Sequence, residues 1–290
     1  MPGVAVVTDT THYLPREVVR RHGLHEVSLY LNWQGATRRE ADITDYDAFY
    51  DELRSARQLP STSQPSVGDF LAVYEPLLEA GRDVLSVHIS GGISGTVQAA
   101  EQARRDLVDR GTEPERIIVL DSRTGCAGIG FMAIAAANAA REGADVAAAA
   151  DAAQRIRKIM KLWFAVDTLE YLRRGGRIGA AGAWLGTALR IKPILTIEAT
   201  IEPVERVRTA GRSFERMVEY LQDRRDSGAD VFFLQHIQAH DVAERLAERG
   251  RAIYGRDPEF ISEVGPVIGA HVGPGLLGVT GLPSRLLGPV

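Results

Sequence analysis

Apolar residues enter this chain in short unbroken runs, and the stretches between the runs carry apolar positions at helical spacing. Val4 to Val7 is the first run; the polar Thr8-Asp9-Thr10-Thr11 follows, and Leu14-Pro15-Arg16-Glu17 opens a helix with a proline suited to its first turn. Val27 to Leu31 reads as a second strand. Thr44-Asp45-Tyr46-Asp47 and Ser66-Val67-Gly68-Asp69 have capping-box spacing and each start a helix, leaving Pro60-Ser61-Thr62-Ser63-Gln64-Pro65 as a loop between them. Val84 to Ile89 is the clearest buried strand. It runs into Ser90-Gly91-Gly92-Ile93-Ser94-Gly95-Thr96 and a helix over Val97 to Leu107, and Ile117 to Leu120 repeats the pattern before Asp121-Ser122. Strands alternating with helices predict a parallel sheet covered by helices, with ligands beyond the carboxyl ends of the strands.

The alanine-rich stretch from Phe131 to Ala153 is interrupted by charges and predicts two close-packed helices separated at Gly143. Near Trp163 the rhythm changes. Phe164 to Val166 predicts a strand, Thr168 to Arg173 a short helix, Gly175 to Ile178 a turn, and Ile191 to Ile197 with Pro203 to Arg208 a strand pair. A helix over Ser213 to Asp226, a strand over Val231 to His236, a helix capped by Asp241 and ending before Gly250, and a glycine-rich strand segment over Gly265 to Val279 complete the reading. The change places a domain boundary near Lys161, giving domains 1–161 and 162–290.

With 45% hydrophobic, 25% charged and 7% aromatic residues in 290, the composition is that of an ordered globular chain of one or two domains. A net charge of −4 gives no general attraction for nucleic acid or acidic membrane, while leaving room for a local basic patch. The single cysteine, Cys126, excludes an intramolecular disulfide and a cysteine-built metal centre. The N-terminus has neither a signal-peptide core nor a membrane-spanning length, so the expected location is the cytoplasm, with no integral membrane segment.

The Ser90 to Thr96 loop is the strongest chemical signal, since a flexible turn entering a helix aims backbone N–H groups and the positive dipole end at an anion. It lacks the lysine of a P-loop, and Gly95 directly after Ser94 departs from a nucleophile elbow. A tight turn with a capping hydroxyl explains the same residues. Thr62 and Ser63, stiffened by flanking prolines, suit ligand binding or an ordinary turn. His271, in Gly269-Ala270-His271-Val272-Gly273-Pro274-Gly275, is either a donor to an anion or a structural histidine. Asp9, Thr10, Asp121 and Ser122 form a candidate polar cluster that orients loop backbones. His236 and His240 straddle a strand end and a loop and are assigned no metal, and His88 reads as a core histidine. Arg173, Arg174 and Arg177 flank Gly175-Gly176 and form either a solvated face or a docking spot for a phosphate or protein partner.

Taken together, seven ordered segments resemble the DegV family of fatty-acid-binding proteins: Val-Val-Thr-Asp-Thr-Thr at 6 to 11, Thr-Ser-Gln-Pro-Ser at 62 to 66, Ile-Ser-Gly-Gly-Ile-Ser-Gly-Thr at 89 to 96, Leu-Asp-Ser at 120 to 122, Asp-Thr-Leu-Glu-Tyr-Leu-Arg-Arg-Gly-Gly-Arg-Ile at 167 to 178, Ile-Lys-Pro-Ile-Leu at 191 to 195 and His-Val-Gly-Pro-Gly at 271 to 275. The resemblance implies an N-terminal parallel-sheet α/β domain and a C-terminal α/β domain with a mixed sheet, with a long-chain fatty acid as ligand in the cleft between them and no cofactor. It implies that Thr62, Ser94 and His271 hold the carboxylate beside Gly95, and that Asp9, Thr10, Ser63, Ser90, Thr96, Ser122 and Gly273 support the loops. It further implies a separate ATP-dependent fatty acid kinase subunit, docking near Arg173 and Arg174, that phosphorylates the carboxylate to acyl phosphate for phospholipid synthesis. A hydrolase or phosphotransfer domain using Ser94 and His271 is the competing reading. Two departures from the family pattern are Gly91, where a second serine often stands, and Thr196 to Thr200, which lacks the glycine expected at the hairpin.

Overall fold

The computed structural model describes residues 3–185 and 191–288. In chain order the first half forms β1 (Val4–Asp9), α1 (Arg16–His22), β2 (His25–Val27), β3 (Tyr30–Trp33), β4 (Ala36–Arg39), α2 (Tyr46–Ser55), β5 (Ser61–Ser63), α3 (Val67–Glu79), β6 (Asp83–His88), α4 (Thr96–Asp109), β7 (Ile117–Asp121), α5 (Ala127–Arg141) and α6 (Val146–Ile159). The strands β2-β1-β6-β7 make a parallel sheet. All six residues of β1 are buried, because helices cover both faces of the sheet. Val4 and Val6 pack with α5 and α6, and the alternating Ala5 and Val7 pack with α3 and α4. The α3 cap is the expected capping box: Ser66 Oγ accepts from Asp69 N while Asp69 accepts from Ser66 N.

The second half forms β8 (Trp163–Ala165), α7 (Glu170–Arg174), β9 (Lys192–Glu198), β10 (Thr200–Val207), α8 (Ala210–Asp226), β11 (Val231–His236), α9 (His240–Tyr254), β12 (Ile261–Glu263), α10 (Pro266–Val272) and β13 (Leu277–Leu282). Its six-stranded sheet has the order β10-β9-β8-β13-β11-β12, antiparallel throughout except for the parallel pair β11 and β12. Helix α5 joins the two halves. Twelve of its residues are buried, as an all-round apolar helix requires, and Phe131 packs on Phe233 at a ring separation of 4.1 Å.

Several sequence expectations need correction. Val27 to Leu31 is not one strand: Ser28 Oγ donates to Leu29 O and accepts from Ala41 N, turning the chain from the parallel sheet into a separate three-stranded antiparallel sheet, β4-β3-β5. The presumed loop around Thr62 forms β5 of that sheet, with Leu31 opposite Thr62. Asp45, not Thr44, caps α2, accepting from Ala48 N. Asp241 makes no cap; it lies in the first turn of α9, whose cap position is Ala239. That helix also continues through Gly250, where the Phe232 ring lies 2.3 Å from the position of any Cβ, and stops at Gly255 with φ 72°. Gly265 to Val279 is not a single strand segment, because Pro266 starts the short helix α10 before β13 begins.

The hairpin without a glycine is real. Ala199 takes φ 74°, and the other half of the molecule holds it there: its N–H donates to Arg123 O and its carbonyl accepts from Ser90 Oγ at 2.6 Å. Among the described residues, no helix is long and apolar enough to cross a membrane.

Candidate functional site

A narrow cavity lies between the two sheets. Its empty space is about 880 Å³, walled chiefly by apolar side chains from both halves, including Ile93, Leu162, Phe164, Leu172, Ile197 and Ile201. Thr62, Ser63, Ser94 and His271 also line it.

Antiparallel pairing in β5 delivers Thr62 to the cavity, and the last turn of α10 delivers His271, so that Thr62 Oγ1 and His271 Nε2 stand 2.7 Å apart. Burial, aided by the nearby Arg177 charge, lowers the His271 pKa to about 4, which leaves the ring neutral at neutral pH. Its other nitrogen, Nδ1, is buried without a partner. It abuts Gly175, where a Cβ would stand 2.3 Å from it. A bare buried lone pair is tolerated better than an orphaned N–H. The favoured tautomer therefore carries its proton on Nε2 and donates to Thr62 Oγ1, which frees the threonine hydroxyl proton to meet an acceptor in the cavity.

Ser94 Oγ lies 2.8 Å from Thr96 Oγ1, at the entrance to α4, whose cap position is Gly95. The loop that carries Ser94 is anchored on both sides. Ile89 N donates to Asp9 Oδ2, Gly91 N to Asp121 Oδ1, Ser90 N to Thr124 O, and Ser90 Oγ to Ala199 O. Ser122 Oγ donates to Thr124 O and so secures the neighbouring turn. Asp9 and Asp121 thus orient loop backbones, but the candidate polar cluster divides: Asp9 belongs to a buried chain, Thr10 to another, and neither lines the cavity.

The Asp9 chain runs from its carboxylate to His88 Nδ1, from His88 Nε2 to Ser86 Oγ, and on to Tyr74 Oη. Burial raises the Asp9 pKa, but the bonds from His88, Thr11 and Ile89 outweigh it and hold the carboxyl below its ordinary value. The order serine, histidine, aspartate imitates a catalytic triad. Ser86, His88 and Asp9 are all fully buried, however, and Tyr74 Oη donates to Ser86 Oγ, so the chain braces the sheet and presents no nucleophile. Ser94 and His271 are not hydrogen-bonded to each other; each uses its own hydroxyl neighbour.

Several residues at this site escaped sequence reasoning. Glu40 is 2% exposed and accepts from Thr10 Oγ1, Tyr13 Oη and Val267 N. Tyr13 Oη accepts in turn from Ile268 N, and Tyr50 Oη donates to Val264 O. The helix that bears His271 is therefore fastened at its start by three side chains from the first half. Gln235, buried in β11, accepts from Ala127 N and donates to His12 O, joining α5 to the turn that follows β1. A glutamine inside an apolar run was a readable signal. Glu40 follows Arg38-Arg39 and carries none.

The glycines around His271 serve packing. Gly273, at φ 74°, leaves room for the Tyr171 ring, which lies 2.4 Å from the position of a Cβ, and it does not line the cavity. Arg173 and Arg174 are exposed; Arg173 pairs with Glu170 and Arg174 donates to Arg57 O. Arg177 stands at the cavity rim, donating to Ile93 O and Gly175 O.

The model of a family described as "Uncharacterised protein, DegV family" matches residues 3–284. A DegV domain-containing protein of Streptomyces coelicolor is 40% identical over 279 residues, covering 95% of this chain and 97% of the relative. Among solved structures, a DegV family protein from Thermus thermophilus, described by its fatty acid binding, is 34% identical with a TM-score of 0.86, covering 96% of this chain and 99% of its own. DegV of Bacillus subtilis, described as a fatty acid binding protein, is 33% identical with a TM-score of 0.86, covering 97% of this chain and 99% of its own.

Proposed function

The chain belongs to the DegV family, and from that membership and the geometry of its cavity we propose that it binds a long-chain fatty acid, acting as a carrier and not as an enzyme. The observation that carries this reading is a narrow apolar cavity bearing Thr62, His271 and Ser94 on its wall. In this reading residues 1–161 and 162–290 act as two domains that enclose the ligand.

The energetics fit the two ends of such a ligand. At about 0.8 kcal/mol per buried methylene, roughly fourteen methylenes contribute on the order of 11 kcal/mol before association costs. A carboxylate removed from water is costly unless hydrogen-bonded. The Thr62 and Ser94 hydroxyls, with the Gly95 loop, supply charge-assisted donors, and His271 aims Thr62. Ser63, Ser90, Thr96 and Ser122 support the loops around them.

The proposal extends to presentation: a separate cytoplasmic ATP-dependent kinase subunit, docking near Arg173 and Arg174, phosphorylates the bound carboxylate to acyl phosphate for phospholipid synthesis. Mass spectrometry of the purified protein, native and after organic extraction, tests the carrier reading. A stoichiometric mass shift that disappears on extraction, with free fatty acid recovered, is the expected result. Failure of both native and delipidated protein to hold any of a panel of fatty acids overturns it.

A further inference from the structure

A second cavity, with about 1480 Å³ of empty space, opens at the opposite end of β1, where Val4 begins the strand. Its floor is apolar, formed by Val4, Val6, Val19, Leu24, Ala137 and Ala140. Its rim carries Arg16, Arg20, Arg82 and Arg141 together with His22, His25 and a single carboxylate, Glu26. Both Glu26 oxygens are committed, one to His12 at 3.0 Å and the other to Arg16 at 2.7 Å.

The three remaining guanidiniums have no carboxylate partner among the described residues. Arg82 donates to Val4 O and lies 3.4 Å from His25 Nε2, and Arg141 donates to Arg21 O. The carbonyl ends of α1 and α5 converge here and attract Arg20 and Arg141, but each offers only about half a negative charge. Against three guanidiniums, a surplus of about two positive charges remains. Both imidazoles are held below their ordinary pKa: burial is the largest cause at each, Arg82 adds to it at His25, and at His22 the Arg141 and Arg21 charges add to it against an opposing hydrogen bond to Asn138. Like charges gathered over an apolar floor without counter-charge are a cost that a dianion removes.

We propose that this cavity binds a phosphomonoester with a small apolar or aromatic body, its phosphate between Arg20, Arg82 and Arg141 and its body on the Val6 and Leu24 floor. A phosphomonoester carries about −1.5 to −2 charges at neutral pH, which matches the surplus, and Arg binds phosphate oxygens with paired donors. A carboxylate, with one negative charge, offers less than the rim requires. The concave floor favours a soluble molecule over the headgroup of a lipid held in a flat surface. The site stands apart from the acyl cavity and does not depend on the proposed function.

The test is a titration of the full-length protein with phenyl phosphate at constant ionic strength, read by NMR at the His22 and His25 rings. Inorganic phosphate, phenylacetate and vesicles containing phosphatidic acid are the comparison arms. Saturable shifts at both histidines are expected, with phenyl phosphate binding more tightly than inorganic phosphate or phenylacetate. Arg82→Gln should weaken binding about tenfold or more. Because Arg82 also supports Val4, Arg20→Gln on the exposed rim serves as a second variant and should weaken binding in the same direction. Absence of saturation, equal response to phenylacetate, binding unchanged in both variants, or binding to the vesicles alone would each overturn the proposal.

Discussion

Replacing Thr62 by valine preserves its shape and deletes one atom's chemistry, the Oγ1 that meets His271 Nε2 at 2.7 Å. His271 Nδ1 is already without a partner, so the variant buries an imidazole with neither nitrogen satisfied. Leaving a buried polar group unpaired costs about 1–3 kcal/mol, and delipidated Thr62→Val should lose stability by that amount. Replacing His271 by leucine removes the other partner, and the double variant removes both. If the bond is the main link between the two residues, the second substitution costs less in the background of the first, with a coupling energy of about 1–2 kcal/mol. Urea denaturation of the four delipidated proteins yields the cycle directly. Strict additivity of the two substitutions would refute the assigned bond and with it the argument that His271 aims the Thr62 hydroxyl.

Acidification should destabilise the protein in part through His271. Its folded pKa of about 4 lies below the unfolded value near 6.5, so the unfolded chain takes up a proton that the fold refuses, and stability present above pH 6.5 is lost as pH falls toward 4. Between pH 7 and 5 this contributes about 2 kcal/mol. His22, His25 and His236 are shifted the same way, so the measurement is the difference in slope between wild type and His271→Leu; equal slopes would exclude the contribution. Glu40→Ala strands Thr10 Oγ1, Tyr13 Oη and Val267 N and should cost at least about 3 kcal/mol, while weakening fatty acid binding through the loosened start of α10. Retention of full stability and affinity in that variant would show that the His271 helix does not depend on the clamp.

Much of this was legible from local pattern. The buried runs at Val4 and Val84, the capping box at Ser66 and the paired helices around Gly143 follow from periodicity and cap chemistry, which are short-range properties. Thr62 was legible as a stiff hydroxyl but not as a strand, since β5 has three residues and exists only because β3 lies beside it. Ser94 and His271 stood out as single residues in glycine-rich turns. The bond between Thr62 and His271 spans 209 positions, and no local signal encodes it. The same holds for the Glu40 clamp on Val267, and for Gly175, which reads as half of a turn and serves as the flat wall behind an imidazole.

The protonation state of His271 bears on what the proposed carrier can do with its ligand. A protonated imidazole inside the cavity would form an ion pair with a carboxylate and draw down the charge that makes the oxygens nucleophilic. Without a ligand, burial and the nearby Arg177 charge keep this ring neutral, so a carboxylate bound as proposed would meet the Thr62 and Ser94 hydroxyls, with the Arg177 guanidinium at the cavity rim. Such donors offset much of the desolvation cost while leaving the negative charge on the ligand. A site built for storage alone gains from the strongest counter-charge available. The proposed presentation of the carboxylate for attack on a phosphoryl group would gain from oriented neutral donors, which the Thr62 and Ser94 hydroxyls would supply.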